Sequence, residues 1–443
     1  MKKVIIISVF LLSALVEIVA QCEEPSIEKT GVTIAARNFE IARRTLQSET
    51  ILEVESATEN SSWAIKGAES AVLTIFVDDQ YNQDVMLFSG AEKFVYKVTL
   101  GKFAPGKHQV KIVLNEKRSA KNARKVKIFA LEVKQTESES AVDAFAAAHS
   151  PIIYARPDTI DKFSDVPLLT YYEVFPIGES DFKIRYTTIF TNEDGGTQTA
   201  ALMARWGRAT DIEWVYETEI KNGVIVWEVY QGANHETKTF AGRKILGNHP
   251  LIFDVTVNNN FADSGCSDLR FVPMPIRADL SSKSRETVMD ENAWTYRIMA
   301  EEAAREGRVN AAKLDANTIA DPREYLYAEI YSETKNAAIN IEAQISAAEI
   351  YTSDKGSEQL RVNRPGYVRI ALYMPPNRSD KFPKTINVGC YALSGKMPSE
   401  SGCQNVRLIK LVRLDRNYLP VIKEINAPAQ NVKTGEKASF SSF

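Results

Sequence analysis

The sequence predicts a mainly β fold of two β-sandwich (jelly-roll-like) domains, the second with one long inserted helix, and three observations lead there. Short apolar runs recur at spacings of roughly 8–12 residues and stop at turn residues, as in sandwiches. Only one stretch of the 443 residues combines a capping residue, early acids and a glycine stop in the manner of a long helix. No internal repeat of fixed period occurs, which excludes a solenoid.

Taken in order, the chain opens with Lys2 and Lys3, an apolar run over residues 4–16, the small residue Ala20, and Gln21-Cys22. This is the order of a secretory signal, assigned to residues 1–21, so the mature chain is expected outside the cytoplasm: periplasmic, cell-surface or secreted. Glu17 interrupts the run before the roughly 20 residues that a bilayer span requires. Cys22 stands where a lipoprotein is acylated, but Gln21 before it is bulky for that pattern and disfavours lipid anchoring. No later stretch is apolar enough to span. A formal charge of −3 with no strongly basic half argues against nucleic acid as a partner. The one dense basic stretch is Lys117, Arg118, Lys121, Arg124, Lys125 and Lys127; it suits an acidic polysaccharide or anionic lipid surface, and equally a solvated loop between strands.

The first domain is assigned to residues 22–135, with strands at 71–77, 85–88, 94–100, 108–114 and 126–133 separated by Asp-Asp, Ser-Gly and Pro-Gly turns. Residues 136–149 form a linker, polar at first and then alanine-rich enough for a short helix before Pro151. The larger sandwich is assigned to residues 150–427, with strands at 152–155, 168–175, 183–190, 212–220 and 224–230. Its helix has Ser284 as cap, Glu286 and Glu291 near the positive end, Trp294 and Ile298 on one face, and Gly307 as the stop. Strands resume at 337–345, 366–373 and 406–414, and residues 428–443 read as a flexible polar tail.

Cys390 and Cys403 bracket a short loop rich in Ser, Gly and Pro and are expected to pair, which stabilises the fold by about 3 kcal/mol in the chain-entropy model. Cys266 can pair with either of them or with Cys22, and sequence leaves the choice open. No CxxC occurs, which argues against zinc.

The runs SWAIKG at 62–67, VDDQYN at 77–82, FVYKVTLG at 94–101 and PGKH at 105–108 make the first domain resemble the galactose-binding-like β-sandwich modules of exported glycan-handling proteins. The resemblance implies a ligand among loops at one end, where Trp63 or Tyr81 would stack on a sugar face. The competing reading makes Trp63 and Tyr96 core aromatics and Asp78-Asp79 a hairpin turn.

In the second domain, HSPIIYARPD at 149–158, IRYTTIFTN at 184–192, ALMARWG at 201–207, TDIEW at 210–214 and QGANH at 231–235 resemble the vacuolar protein sorting-associated protein 62 family and, more distantly, the necrosis-inducing proteins. The resemblance implies a divalent-metal region at Asp211, Glu213 and His235. The sequence departs from that pattern at Thr210, Ile212 and Trp214. Read from the residues, Asp211 and Glu213 alternate with Ile212 and Trp214, so both carboxylates leave one face of a strand. With His235 brought over by the next hairpin they suit a cation such as calcium or magnesium, or acid–base work if their pKa values are split. The same alternation fits a strand whose acidic side faces water. His249 reads as a loop residue, and residues 193–196 as a tight hairpin turn. There is no Gly-x-Ser-x-Gly elbow and no phosphate-cradling glycine loop.

The expected function is therefore an exported, non-catalytic binding protein for a glycan or cell-surface ligand. The alternative is a metal-dependent enzyme or membrane-active protein, with peripheral membrane contact, centred on the Asp/Glu/His site. A structural, self-assembling surface component is the third reading.

Overall fold

A computed structural model describes residues 31–42, 48–136, 140–178, 180–346, 348–377, 382–425 and 427–441. The signal segment and Cys22 lie outside the described residues.

The first sandwich contains β1 (Val32–Ile41), β2 (Thr50–Glu59), β3 (Val72–Val77), β4 (Gln80–Met86), β5 (Phe94–Gly101), β6 (Gly106–Leu114) and β7 (Lys125–Gln135). Two antiparallel sheets, in the orders β1-β6-β3-β4 and β5-β2-β7, face each other. Leu52 and Val54 of one sheet and Leu73, Ile75, Val110 and Ile112 of the other are fully or almost fully buried between them. Asp78 and Asp79 close the β3–β4 hairpin with φ of 49° and 64°, the left-handed pair that a two-residue turn demands. A short helix, α1 (Ala141–Ala148), follows; Ser140 caps it by accepting the Asp143 N–H at 3.1 Å.

The next sheets use β8 (Ile152–Tyr154), β9 (Pro167–Pro176), β10 (Phe182–Phe190), β11 (Ile212–Lys221), β12 (Val224–Gln231), β13 (Thr237–Thr239), β14 (Lys244–Ile245), β15 (His249–Asp254), β16 (Phe261–Ala262), β17 (Arg270–Phe271) and β18 (Ile276–Arg277). A six-stranded sheet runs β13-β12-β11-β10-β9-β18, and its partner runs β14-β15-β8-β17 with β16 beside β15. Tyr186, Phe190, Tyr216, Ile252 and Phe261 fill the space between them.

Residues 193–196 do not make a hairpin. They carry the chain from β10 into a helix, α2 (Thr199–Trp206), which ends at Gly207 with φ +65°. A Cβ at Gly207 would sit 2.4 Å from Arg369 Cγ, so glycine is needed for close approach as well as for the turn. His249 likewise is no loop residue: it opens β15 with no solvent exposure, because the apolar run behind it pairs in parallel with β8.

The inserted helical segment is two helices, α3 (Thr287–Glu291) and α4 (Trp294–Arg305), interrupted at Asn292 and Ala293. The Ser284 side chain does not cap it. Its hydroxyl donates to Glu329 at 2.9 Å instead.

The remaining strands are β19 (Tyr325–Lys335), β20 (Ala337–Ser346), β21 (Glu349–Thr352), β22 (Gly366–Tyr373), β23 (Thr385–Ala392), β24 (Gly402–Leu414), β25 (Pro420–Glu424), β26 (Gln430–Lys433) and β27 (Lys437–Ser441). They form two sheets, β22-β19-β24-β25 with β26 beside β24, and β21-β20-β23-β27, around an apolar core of their own. Residues 150–427 thus contain four sheets. The polar tail is not loose: Val432, Ala438 and Phe440 are buried and alternate with exposed polar neighbours, so β26 and β27 each add a strand. Cys390 of β23 and Cys403 of β24 form a disulfide that ties the two sheets together, and Cys266 is also disulfide-bonded.

The helices lock the strand layers to one another. Arg369 donates to Asp290 and to Glu329 at 2.8 Å each, and Lys410 lies 2.9 Å from Asp290. Two acids and two bases close a buried, neutral cluster, the condition under which buried charge is tolerated.

Candidate functional site

Trp63 and Tyr81 do not form a sugar platform. Trp63 is 0% exposed; its indole N–H donates to Glu302 at 2.7 Å, Phe163 packs edge-on, and the Arg305 guanidinium lies 5.1 Å from the ring centre. It is a core residue joining the first sandwich to α4, so neither ring face is open to a ligand. The Tyr81 hydroxyl donates to Asp84 at 2.5 Å, and Arg270 lies 4.5 Å from its ring centre. Burial, reinforced by Asp84, holds that hydroxyl well above its usual pKa. Arg118 of the basic stretch is committed to the same network through Asp84 at 2.7 Å.

Asp211, Glu213 and His235 do come together. A bulge in the β10–β11 ladder between Tyr186 and Thr187 places Glu213 opposite Thr188, and Asp211 accepts the Phe190 N–H through its carbonyl. The acidic side of the strand faces the other sheet, not water, because the opposite side is also covered: Ile212 is fully buried against a second apolar core. Asp211 accepts the Ile212 N–H at 2.9 Å and the Asn259 amide at 3.1 Å, with Arg208 3.7 Å away. Glu213 accepts the Gln231 amide at 2.6 Å and lies 3.8 Å from His235 Nδ1.

Further acids that the sequence did not single out for this place converge here. Asn259 also donates to Asp165 at 2.8 Å, and Arg156 bridges Asp165 at 2.9 Å and Asp194 at 2.5 Å. Burial, then the Asp211 charge, pushes both Glu193 and Glu213 up to about 8. Burial also raises Asp211, and holds Asp165 and Asp254 well above the carboxylate range. Both Asp254 carboxylate oxygens are buried, and among the described residues the backbone of Thr256 is the group that lowers its pKa by hydrogen bonding. The sequence signals for this cluster are the Asn258-Asn259-Asn260 run after β15 and the Glu193-Asp194 pair after β10.

As a metal centre the arrangement fits poorly. Both Asp211 oxygens and one Glu213 oxygen are engaged by amides, and Arg208 supplies positive charge where an ion would. Among the described residues, no three His, Cys, Asp or Glu side chains are placed to hold a metal.

A different surface is open. The face of the six-stranded sheet that packs Leu169, Tyr171, Ile189 and Ile212 at one end is uncovered at the other. There Phe175, Trp214 and Trp227 stand among Lys183, Arg185, Glu217 and Glu219. The Arg185 guanidinium lies 5.4 Å from the Phe175 ring centre and 5.6 Å from that of Trp214, and Lys183 lies 4.7 Å from Trp227. Glu217 accepts from Arg185 at 2.6 Å, and Lys183 lies 3.5 Å from Glu219. Trp227 is 37% and Phe175 38% exposed.

No family model and no curated protein matches this chain. Among solved structures, the C-terminal domain of EclA, described as a sugar-binding protein, is similar at 15% identity, covering 24% of this chain and 68% of that one with a TM-score of 0.19. The M60 catalytic domain of Clostridium perfringens ZmpB with its CBM51-1 and CBM51-2 domains is similar at 7% identity; the match covers 78% of this chain and 31% of that one with a TM-score of 0.17. Similarity at this level assigns no ligand.

Proposed function

We propose that the protein is an exported, non-catalytic binding protein whose ligand is a glycan of a cell surface or extracellular matrix. The observation that carries this reading is the open end of the six-stranded sheet, where two tryptophans and a phenylalanine interleave with two cations and two carboxylates. A sugar ring presents C–H faces that pack on aromatic rings and hydroxyls that need both donors and acceptors. Lys183 and Arg185, partly exposed, supply donors there and Glu219 supplies acceptors, while the buried Glu217 fixes Arg185 in place. The signal-like leader and the Cys390–Cys403 disulfide fit an oxidising compartment.

The test is a glycan array followed by calorimetry on the best ligand. Trp227→Ala is expected to weaken binding at least tenfold with the melting temperature unchanged. An affinity that survives both Trp227→Ala and Phe175→Ala removes the sheet face as the site.

A second reading, a divalent cation such as calcium or magnesium at Asp211, Glu213 and His235, draws on the surplus of buried carboxylates, Asp254 among them. It requires Arg208 and the amides of Gln231 and Asn259 to give way. Elemental analysis after dialysis against these ions decides it: stoichiometric metal in the wild type that is lost in Asp211→Asn supports it, and metal-free protein ends it.

A further inference from the structure

An apolar cleft opens between the first sandwich and the sheets that follow; its lining includes none of the exposed aromatic residues of the sheet face and none of the carboxylates of the acidic cluster. Its backbone frame is continuous. The edge of β5 pairs with the segment after β17, Thr99 donating to the Val272 carbonyl at 2.9 Å and Met274 to the Lys97 carbonyl at 3.1 Å. Fixed backbone on both sides makes the space a built cavity rather than a gap between loose parts.

One wall is aromatic. Phe88 and Trp294 stack at 4.9 Å and 7°, and Phe94 meets Trp294 edge-on at 5.1 Å and Tyr96 at 4.8 Å. Met86 and Met274 supply unbranched, polarisable side chains that adapt to a ligand's outline. The cavity measures about 370 Å³, within the range of small-molecule sites.

The polar groups of the lining decide what kind of ligand fits. Asp84 already accepts from Thr74, Tyr81 and Arg118. The Gln83 amide donates to Asn82 and to the Thr99 carbonyl, and its oxygen accepts the Val272 N–H. Lys97 pairs with Glu53 at 3.1 Å. Each charge of the lining is balanced by a partner outside it, so no net field is left to hold an ion. A sugar would find these hydrogen-bonding groups taken and would lose its own hydration, whereas an apolar body would exchange water for aromatic and thioether surface.

We infer that this cleft is a binding site for an uncharged apolar moiety, an aromatic ring system or an acyl chain of similar volume, and that it works independently of any glycan site. Trp294, half-buried in the wall, reports occupancy through its emission.

The test uses the full chain and the dye 1-N-phenylnaphthylamine. Saturable binding at one site per chain is expected, with a shift in tryptophan emission that disappears in Trp294→Phe. Met274→Trp, which fills the space from its half-buried rim, is expected to weaken binding at least tenfold. Val95→Lys at the mouth, where Val95 is 41% exposed and the fold is not at stake, is expected to weaken it several-fold. Displacement of the dye by decanol, an uncharged chain, supports an acyl chain as the occupant; displacement by naphthalene but not by decanol supports a ring. The inference is overturned by absence of saturable binding, by equal binding in the wild type and both blocking variants, or by displacement with a neutral oligosaccharide.

Discussion

The acidic cluster makes a pH prediction whose sign can be worked out. Glu193 and Glu213 are held at about 8 in the fold, against 4.5 in an unperturbed chain. Between those values the folded state keeps a proton that the unfolded state has released, so stability falls as pH rises and levels off above the folded pKa. The slope is about 1.4 kcal/mol per pH unit for each such carboxyl. From pH 6.5 to 8, one group with a folded pKa near 8 therefore costs about 1.6 kcal/mol, and Glu193 and Glu213 repel each other, so removing one charge relieves both. Glu302 and Glu306, raised to about 8 and about 7, add to the same slope. His149, lowered to about 4 by burial, works in the opposite sense only below its unfolded value of 6.5; His108, raised by its hydrogen bond to Asp78, adds to the fall over the window and does so equally in the wild type and the variant. Glu213→Gln keeps an oxygen to accept the Gln231 amide and removes the charge. Urea unfolding midpoints at pH 6.5, 7.2 and 8 should fall with pH for the wild type and fall less for Glu213→Gln, the two diverging by at least about 1.5 kcal/mol at pH 8. Equal slopes in the two proteins, or a wild type that gains stability over this window, would refute the buried, protonated cluster.

Other perturbations follow from the packing. Trp63→Ala removes a fully buried indole and leaves Glu302 without its donor; a loss of about 3–5 kcal/mol is expected in denaturant unfolding, and a loss below 1 would place Trp63 outside the core. Replacing both Cys390 and Cys403 by serine should lower stability by about 3 kcal/mol, read as a drop in melting temperature against the oxidised wild type, with the bond of Cys266 intact in both proteins. Arg369→Met leaves Asp290 and Glu329 in the interior with Lys410 as their one remaining base and should cost about 3–5 kcal/mol, whereas Lys127→Met, which breaks the exposed pair with Glu59, should stay within about 1 kcal/mol; calorimetric melts of both separate the buried cluster from the exposed pair.

How far the residues alone led differs from place to place. The strands of 71–77, 94–100, 183–190 and 366–373 were legible because their apolar runs are bounded by turn residues. β1, with its Arg, Asn and Glu, and β27, with its Lys and two Ser, were not, because edge strands expose much of their length and carry few apolar side chains. The inserted helix was visible, but its break at Asn292 was not, since both halves keep an apolar face. Ser284 looked like a cap by position and turned out to be a partner of Glu329, a residue 45 positions away. In the candidate site, the alternation Asp211-Ile212-Glu213-Trp214 was readable as a strand with its acids on one side. That this side is the interior was not, because a period of two tells which residues share a face and nothing about what covers it.

By itself the sequence determined the mainly β character, the order of residues in its leader, and a short loop across which Cys390 and Cys403 are able to pair; each depends on the order of residues within a few positions, and the structure settled the pairing. The tertiary structure alone decided that Trp63 belongs to the core, that the acids of residues 165, 193, 194, 211, 213 and 254 share one buried volume, and that Phe175, Trp214 and Trp227 stand together on an open sheet face. Those relations join strands tens of residues apart. They are set by sheet order, by one bulge and by the layers that cover each face, which local periodicity does not encode.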